Sequence, residues 1–523
     1  MNTYLLKGDI SGIQQYIFHV QSDGAAKSLK GKSVYIDLIS KLCYELCKKR
    51  LQDEGAKVDE IYCGGGNFFI ELKTSNINSV ELIQEEINKE LLYDEIAIVL
   101  TWRLSGHNFG EDWIELLKQS NINKLSKFKN DYQLFTPYSW EQKDKENNKN
   151  RFKKYQERYS NNSLFTEITN RLVKSQFIET SLSDENIVLL EENLRERILD
   201  KLPVWESYSE LESYKKYKND TDIKADNLID FDAYGDFAAH RTGTNKLGIL
   251  KMDVDNLGGI FRDTIKTKEQ AKDLSIAFND FYEVELYRLW NTDLYRSDIY
   301  PVFAGGDDCF IIGSWDRIIL FAEATHDAFK NYFKEKYTLS AGIIFVHPKH
   351  PVSSFAQLVN DALDKAKYYQ TFDEAVKEKK HEKNCICLFD EVFSWEELSI
   401  IVSYIKPDND NIIRQIKAGK INRSFIDKIR NSAKGFNALQ QQILKSNRID
   451  IPKLWRLKYY IGRKHQSEAF ENGLDKFIND YQNALQNALI KRETTYPAIF
   501  PVVARIIEMS TKKILEYDTN YDD

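Results

Sequence analysis

Phe303-Ala304-Gly305-Gly306-Asp307-Asp308-Cys309-Phe310-Ile311-Ile312 is the stretch on which the fold turns. Two apolar runs meet at a Gly-Gly pair, the pattern of a β-hairpin whose turn needs the positive φ that glycine supplies. Adjacent aspartates at the tip are costly without a cation to neutralise them. Mg²⁺ suits that place, because it takes a few carboxylates together with phosphate oxygens and water. Upstream, Leu250-Lys251-Met252-Asp253-Val254-Asp255-Asn256-Leu257-Gly258-Gly259 reads as a strand that ends in aspartates. Asp253 joins Asp307 and Asp308 as a candidate metal ligand, with the backbone carbonyl of Val254 as a further oxygen. Asp255 either shares the Asp253 face by the period-two rule or caps the following helix.

Working outward, the same order of elements occurs twice. The first half opens with a strand through Tyr4–Asp9 and runs into a helical stretch at Lys41–Lys49. A hairpin follows around Gly64-Gly65-Gly66-Asn67, then a strand at Ile96–Trp102. The later half has the Asp253 strand, a helix around Ala271–Leu289, the Gly305–Asp308 hairpin and a strand at Leu339–Val346. Asp9 to Gly64 spans 55 residues and Asp253 to Gly305 spans 52. Matched order and spacing predict two copies of an antiparallel sheet with helices on one face, an α+β fold. The first copy has Gly66 and Asn67 in place of the tip aspartates, so it is expected to be non-catalytic.

This gives four expected regions: a first palm-like unit over 1–142, a linker and helical insert over 143–245, a catalytic second unit over 246–393 and a C-terminal helical domain over 394–523. The polar run Lys143–Asn150 reads as a solvated linker. Ser394 followed by Glu397 reads as a capping box opening the last domain, where apolar positions keep helical spacing. The tail at 517–523 is expected to fray.

Composition narrows the class. With 42% hydrophobic residues in 523, the chain holds enough apolar mass for several cores. A net charge of −7 argues against a generally basic nucleic-acid coat. No apolar run reaches the length of a membrane span, and a Gly-Asp pair comes too early for a signal peptide. The six cysteines form no C-x-x-C pair. They read as structural thiols of a reducing cytoplasm, with no zinc site expected. His347 and His350 read as a surface loop. The single His-Asp dipeptide, His326-Asp327, reads as a solvated helix face.

Asp9-Ile10-Ser11-Gly12-Ile13-Gln14, Ala26–Ser33, Met252–Gly258, the Gly-Gly-Asp-Asp hairpin, Ser340-Ala341-Gly342, Lys349–Val352, Ala366-Lys367 and Phe393–Glu396 occur in order. The ordered set resembles the large polymerase-like subunit of type III CRISPR–Cas effector complexes, nearest in style to type III-A. The resemblance implies two palm domains of the ferredoxin-like, GGDEF-like kind. It implies target-RNA-activated synthesis of oligoadenylates, usually cyclic, from ATP with Mg²⁺ or Mn²⁺. It implies guide RNA, target RNA, backbone subunits and a small helical subunit as partners. Many relatives begin with an HD nuclease domain; the palm signature here starts within ten residues of Met1, so no DNA nuclease activity is expected.

The resemblance assigns Asp253, Asp307 and Asp308 to catalysis and metal binding. Ser11, Gly64, Gly65, Gly305, Gly306, Asn256 and Lys349 are the nucleotide-binding candidates. Lys27, Lys30 and Lys32 are candidates for contact with phosphates or with the guide RNA backbone, weighed against a solvated face. Three other readings stand beside oligoadenylate synthesis: AMP transfer from ATP to S-adenosylmethionine by the same site, a GTP-using diguanylate-cyclase-like enzyme, and a non-enzymatic scaffold.

Overall fold

The computed structural model describes residues 1–20, 25–91, 96–106, 108–125, 177–180, 187–190, 203–205, 208, 211–225, 227–373, 378–381, 383–406, 412–419, scattered positions between 424 and 486, and 499–512. The expected linker at 143–150, much of the expected insert, most of the C-terminal domain and the tail lie outside these residues.

The first unit runs β1 (Asn2–Ser11), α1 (Ile13–Phe18), α2 (Ala25–Asp53), β2 (Lys57–Gly64), β3 (Asn67–Thr74), α3 (Ser79–Leu91), β4 (Ala97–Leu104) and α4 (Phe109–Leu125). Its sheet has the order β2-β3-β1-β4, all antiparallel. Within the expected helical insert, the described residues include a short hairpin, β5 (Phe177–Thr180) with β6 (Ile187–Leu190). Two helices follow, α5 (Leu211–Lys218) and α6 (Phe231–Thr242). Helix α6 starts on an Asp230 side-chain cap to the Ala233 amide and ends on a left-handed Gly243.

The second unit runs β7 (Leu247–Val254), α7 (Leu257–Asp263), α8 (Lys268–Asp280), a π turn (Phe281–Glu285), α9 (Leu286–Trp290), β8 (Ile299–Gly305), β9 (Asp308–Ser314), α10 (Trp315–Tyr332), β10 (Leu339–Val346) and α11 (Val352–Lys367). A hairpin, β11 (Gln370–Asp373) with β12 (Glu378–His381), precedes β13 (Cys385–Leu388) and β14 (Glu391–Ser394). The sheet order is β14-β13-β10-β7-β9-β8. Its β10-β7-β9-β8 part repeats β4-β1-β3-β2. Strand β13 then adds parallel to β10, and β14 closes the edge. Gly342 is required in β10, since a Cβ there would lie 2.5 Å from the Leu363 amide of α11.

Helix α12 (Trp395–Ile405) opens on the expected capping box. The Ser394 side chain accepts from the Glu397 amide, and the Glu397 carboxylate accepts from the Ser394 amide. Helix α13 (Ile412–Lys417) and the largely buried α14 (Ile499–Ser510) pack near it. No helix among the described residues is long and apolar enough to cross a membrane.

The two units share their cores. Leu5, Ile61, Phe69 and Trp113 of the first unit join the core of the second, while Tyr300, Val302 and Phe310 of the second join that of the first. Trp113 is sandwiched between Phe69 and Phe261, with ring centroids 3.9 and 4.4 Å away. The exchange is reciprocal. Helix α2 lies against β8, where Lys30 donates to the Pro301 carbonyl at 3.1 Å and the Tyr300 hydroxyl donates to the Ala26 carbonyl at 2.6 Å. Helix α8 lies against β2, where Lys268 pairs with Asp59 and Glu71 at 2.7 and 3.1 Å.

Candidate active site between two glycine turns

The register fixes how the two units correspond. Asp9 faces Asn67 across β1–β3, and Asp253 faces Asp308 across β7–β9. Lys7 and Lys251 therefore hold the same place, two residues before each strand aspartate. Each hairpin has a two-residue loop. Gly65 and Gly66 both have positive φ, 59° and 83°, as a type I′ turn demands. In the second hairpin only Gly306 does, at 68°, leaving the second loop position to a residue with a side chain, Asp307. That change of turn is what admits the carboxylate.

Three carboxylates thereby gather at one sheet end. Strand β7 delivers Asp253, the turn delivers Asp307 and the first position of β9 delivers Asp308. The turn is held from below. The Asp307 carbonyl accepts from the Val254 amide at 3.0 Å and from the Tyr282 hydroxyl at 3.1 Å. The Gly306 amide donates to Asn279 Oδ1 at 3.1 Å. The π turn lies between Asn279 and α9 and sets Tyr282 beneath the aspartates.

Two lysines meet the carboxylates. Lys367, in the last turn of α11, donates to Asp253. The buried Lys251 reaches within 4.0 Å of Asp308 and donates to Asn360 at 2.8 Å. The first unit matches this arrangement. Lys124, in the last turn of α4, pairs with Asp9 at 2.7 Å, and Lys7 also pairs with Asp9. Desolvation dominates the acidities. Burial, then the neighbouring Asp253, pushes Asp307 up to about 6. Burial, then Asp307, pushes Asp308 up to about 8. Asp253 is raised as well, against the pull of Lys367. Burial lowers Lys7 despite Asp9, and Asp307 of the other unit is among the charges it feels.

The donor set is three hard carboxylate oxygen ligands at one strand end, which fits a Mg²⁺-like cation. Among the described residues, however, no cluster of three acidic, histidine or cysteine groups stands preassembled for a metal. Lys367 occupies Asp253 instead, so binding a cation means displacing that lysine.

The other candidates divide. Gly64 and Gly65 line the opposing turn, and a Cβ on Gly65 would lie 4.0 Å from the Gly305 carbonyl. Ser11 ends β1 on the Asp9 face. Asn256 heads α7 with a left-handed φ of 56° and accepts from Lys383. Lys349 is not brought to the site. It follows the far end of β10, about 20 Å along the strand from Ser340, which faces Asp253. Asp255 neither caps α7 nor joins the carboxylates. It is buried and accepts from Thr338 at 2.9 Å, Ser340 at 2.7 Å and the Asn384 amide at 2.9 Å.

Lys30 is neither solvated nor open to phosphate: it is fully buried under Pro301. Lys32 donates to the Tyr16 and His19 carbonyls. The side chain of Lys27 lies outside the described residues. His326 is also not on a solvated face. Its ring is buried and stacked on Trp395, with centroids 4.1 Å apart. His347 and His350 sit in a surface turn, as read. Sequence reasoning passed over Asn279, Tyr282 and Lys124, and it quoted Lys251 and Lys367 without giving either a role. The repeated Lys-x-Asp was the available signal for Lys7 and Lys251.

Comparison with known proteins follows the same division. Residues 246–379 match the Cas10/Cmr2 second palm domain, and residues 2–171 match Csm1 subunit domain B. The chain is similar to the CRISPR system single-strand-specific deoxyribonuclease Cas10/Csm1 (subtype III-A) of Methanocaldococcus jannaschii. The two are 28% identical over 489 residues, covering 75% of this chain and 59% of that one. The protein of the same description from Enterococcus italicus is 24% identical, covering 92% of this chain and 65% of that one. The chain thus spans about three fifths of the length of these relatives. Among solved structures, an apo Csm1–Csm4 cassette superposes with a TM-score of 0.65 at 17% identity, over 98% of this chain and 70% of that one. Similar cassettes have been solved with AMPPNP, with one ATP and with cA4, at TM-scores of 0.63.

Proposed function

We propose an activity from one premise: the chain is a Cas10/Csm1 large subunit of subtype III-A, with its second palm domain and its Csm1 domain B. The activity is a nucleotidyl transfer that joins ATP into oligoadenylates, cyclic in the end product, within a type III CRISPR effector complex. The observation that carries this reading is the pairing of unlike turns. Gly305–Asp308 with two carboxylates, and Asp253 beside it, faces Gly64–Asn67 with none, and Lys7 of the first palm feels the charge of Asp307. An acidic half suits cations and the reacting phosphate; a half lined by glycine and lysine suits a second nucleotide. The nucleotide-bound cassettes of the relatives agree with it.

In this reading Asp253, Asp307 and Asp308 hold Mg²⁺. When bound, Mg²⁺ lowers the pKa of the attacking ribose hydroxyl and stabilises the leaving oxygens. Lys367, displaced from Asp253, turns to the triphosphate, and Lys251 offsets charge from beneath. Ser11, Gly64 and Gly65 line the place of the acceptor nucleotide, with Lys7 and Lys124 behind them. The acceptor hydroxyl oxygen forms a bond to the α-phosphorus of the donor. The bond from that phosphorus to the bridging oxygen breaks, pyrophosphate leaves and the hydroxyl proton passes to water. Guide and target RNA act through partner subunits, and target RNA shifts the palms toward the ordered, reactive pair.

The test is mass spectrometry of nucleotides made by the assembled complex from ATP and Mg²⁺. It is run with and without target RNA, and with and without S-adenosylmethionine. Oligoadenylates that require target RNA and vanish in the Asp307→Ala, Asp308→Ala variant are the expected result. A product formed only with S-adenosylmethionine replaces the acceptor and keeps the site. A product formed only from GTP moves the chain to the cyclase reading, and no product under any condition leaves a scaffold.

A further inference from the structure

The two palms exchange one aromatic residue each, and the exchange is unequal. Tyr62 of β2 packs on the core of the second palm, and Phe303 of β8, its counterpart two residues before the turn, packs on the core of the first. The ring that crosses toward the Gly-Gly-Asp-Asp turn carries a hydroxyl; the ring that crosses the other way does not. That hydroxyl lies 3.2 Å from where a Cβ on Gly306 would sit, and 3.0 and 3.5 Å from the corresponding points on Gly64 and Gly65. It is therefore wedged in the seam between both turns. Gly306 is also held through its amide, which donates to Asn279 Oδ1, and Asn279 Nδ2 lies 3.5 Å from the same point on Gly64. Burial, then the charges of Asp307, Glu283 and Asp308 among its neighbours, raises the phenol well above its ordinary value.

We infer that Tyr62, a residue of the non-catalytic palm, is a positioning residue for the Gly306–Asp307 turn and so for the cation-holding carboxylates of the other palm. The inference rests on the nucleotidyl-transfer reading of that site. Asn279 holds Gly306 by a hydrogen bond from within its own palm, and the Tyr62 hydroxyl fills the space beside it from across the seam. Removing the hydroxyl leaves the ring packed and opens that space beside the turn. A first palm without carboxylates thus still supplies a part that the second palm lacks.

The experiment uses the assembled complex with Tyr62→Phe, Gly64→Ala and the double variant. The readouts are kcat and KM for ATP, the Mg²⁺ concentration for half-maximal rate, and Mn²⁺ binding in the presence of AMPPNP followed by electron paramagnetic resonance. Tyr62→Phe is expected to lower kcat and weaken Mn²⁺ binding by about tenfold, the scale of a lost outer-sphere support. The KM for ATP and the thermal midpoint should stay near wild type. Gly64→Ala, which presses a methyl on the hydroxyl, should disturb Mn²⁺ binding more alone than when combined with Tyr62→Phe. Unchanged kcat and Mn²⁺ binding in Tyr62→Phe would overturn the positioning role, with the activity reading intact if Asp307→Ala, Asp308→Ala still abolishes product. If wild type makes no nucleotide product, that reading fails, and Mn²⁺ binding alone then decides the role of Tyr62.

Discussion

The first palm and the second share a four-strand core and its lysines, and at the sheet end they differ by two carboxylates, Asp307 and Asp308. Each has Lys-x-Asp on its first strand, and each has a lysine in the last turn of the helix after its fourth strand, paired to that aspartate. In the first palm one carboxylate, Asp9, meets two ammonium groups, and positive charge is left over. In the second, three carboxylates meet two lysines, and negative charge is left over for a cation once Asp307 and Asp308 have ionised, near pH 6 and 8. The lesson is that the scaffold does not make the chemistry. A turn that gives up one left-handed glycine gains Asp307, the neighbouring β9 position gains Asp308, and the same fold changes from an anion-tolerant pocket to a cation-hungry one.

The hardest way to break the comparison is to erase the difference. Asp307→Ala with Asp308→Ala should cut nucleotide product by at least roughly 10²–10³-fold, read by mass spectrometry, while the fold persists. Grafting the pair onto the first palm, Gly66→Asp with Asn67→Asp, should not restore product in that background. Gly66 has a φ of 83°, and a Cβ there would lie 2.1 Å from Ile13 Cδ1. The graft should also lower stability by about 1–2 kcal/mol through the left-handed residue alone. Product from the grafted chain would mean that position, not turn geometry, separates the palms.

Next in size is the stack that joins them. Trp113→Ala removes the ring between Phe69 and Phe261 and should cost about 3–5 kcal/mol in denaturant unfolding. Because the stack spans both palms, product formation should fall even at temperatures where the variant is folded. Retained activity at full folding would show that the palms act without a fixed mutual pose.

The charge imbalance can also be read without turnover. Asp307 and Asp308 hold protons more tightly folded than unfolded, since burial raises both above the ordinary carboxylate value. The folded state therefore binds more protons from about pH 4 up to their raised values near 6 and 8. Stability without metal should fall as pH rises through that window. Mg²⁺ should raise the thermal midpoint more at pH 8 than at pH 6, by roughly a few degrees. Asp308→Asn should flatten both trends, and an unchanged slope would place the strained charge elsewhere.

Much of this was legible in one sequence, for a physical reason. Strand and helix periods, glycine turns and the Ser394–Glu397 box are local, so the two palms and the convergence of Asp253, Asp307 and Asp308 could be read directly. What escaped reading is pairing across long separations. Lys367 meets Asp253 from 114 residues away. Asp255 is claimed by Thr338, Ser340 and Asn384, three donors that no local pattern announces. A buried lysine such as Lys30, or a buried His326 under Trp395, has the same letters as a solvated one; only tertiary packing tells them apart. Lys349 failed in the opposite sense, since it belongs to a recognisable motif but follows the wrong end of β10.

The smallest expected effect sharpens what holds the palms together. The reciprocal contacts use unlike chemistry. On one side Lys30 is fully buried and donates to Pro301, beside the buried Tyr300 hydroxyl on Ala26. On the other, Lys268 is 30% exposed and pairs with Asp59 and Glu71, themselves 57% and 22% exposed. Water screens the second set and competes for its hydrogen bonds, so Lys268→Ala should cost no more than about 1 kcal/mol, shrinking further in high salt. Tyr300→Phe removes a buried hydrogen bond to the Ala26 carbonyl and should cost about 0.5–1.5 kcal/mol, indifferent to salt. Unfolding of both variants at low and high salt decides the matter. A larger, salt-sensitive loss at Lys268 would mean that the palms are held by their charged rim and not by the exchanged cores.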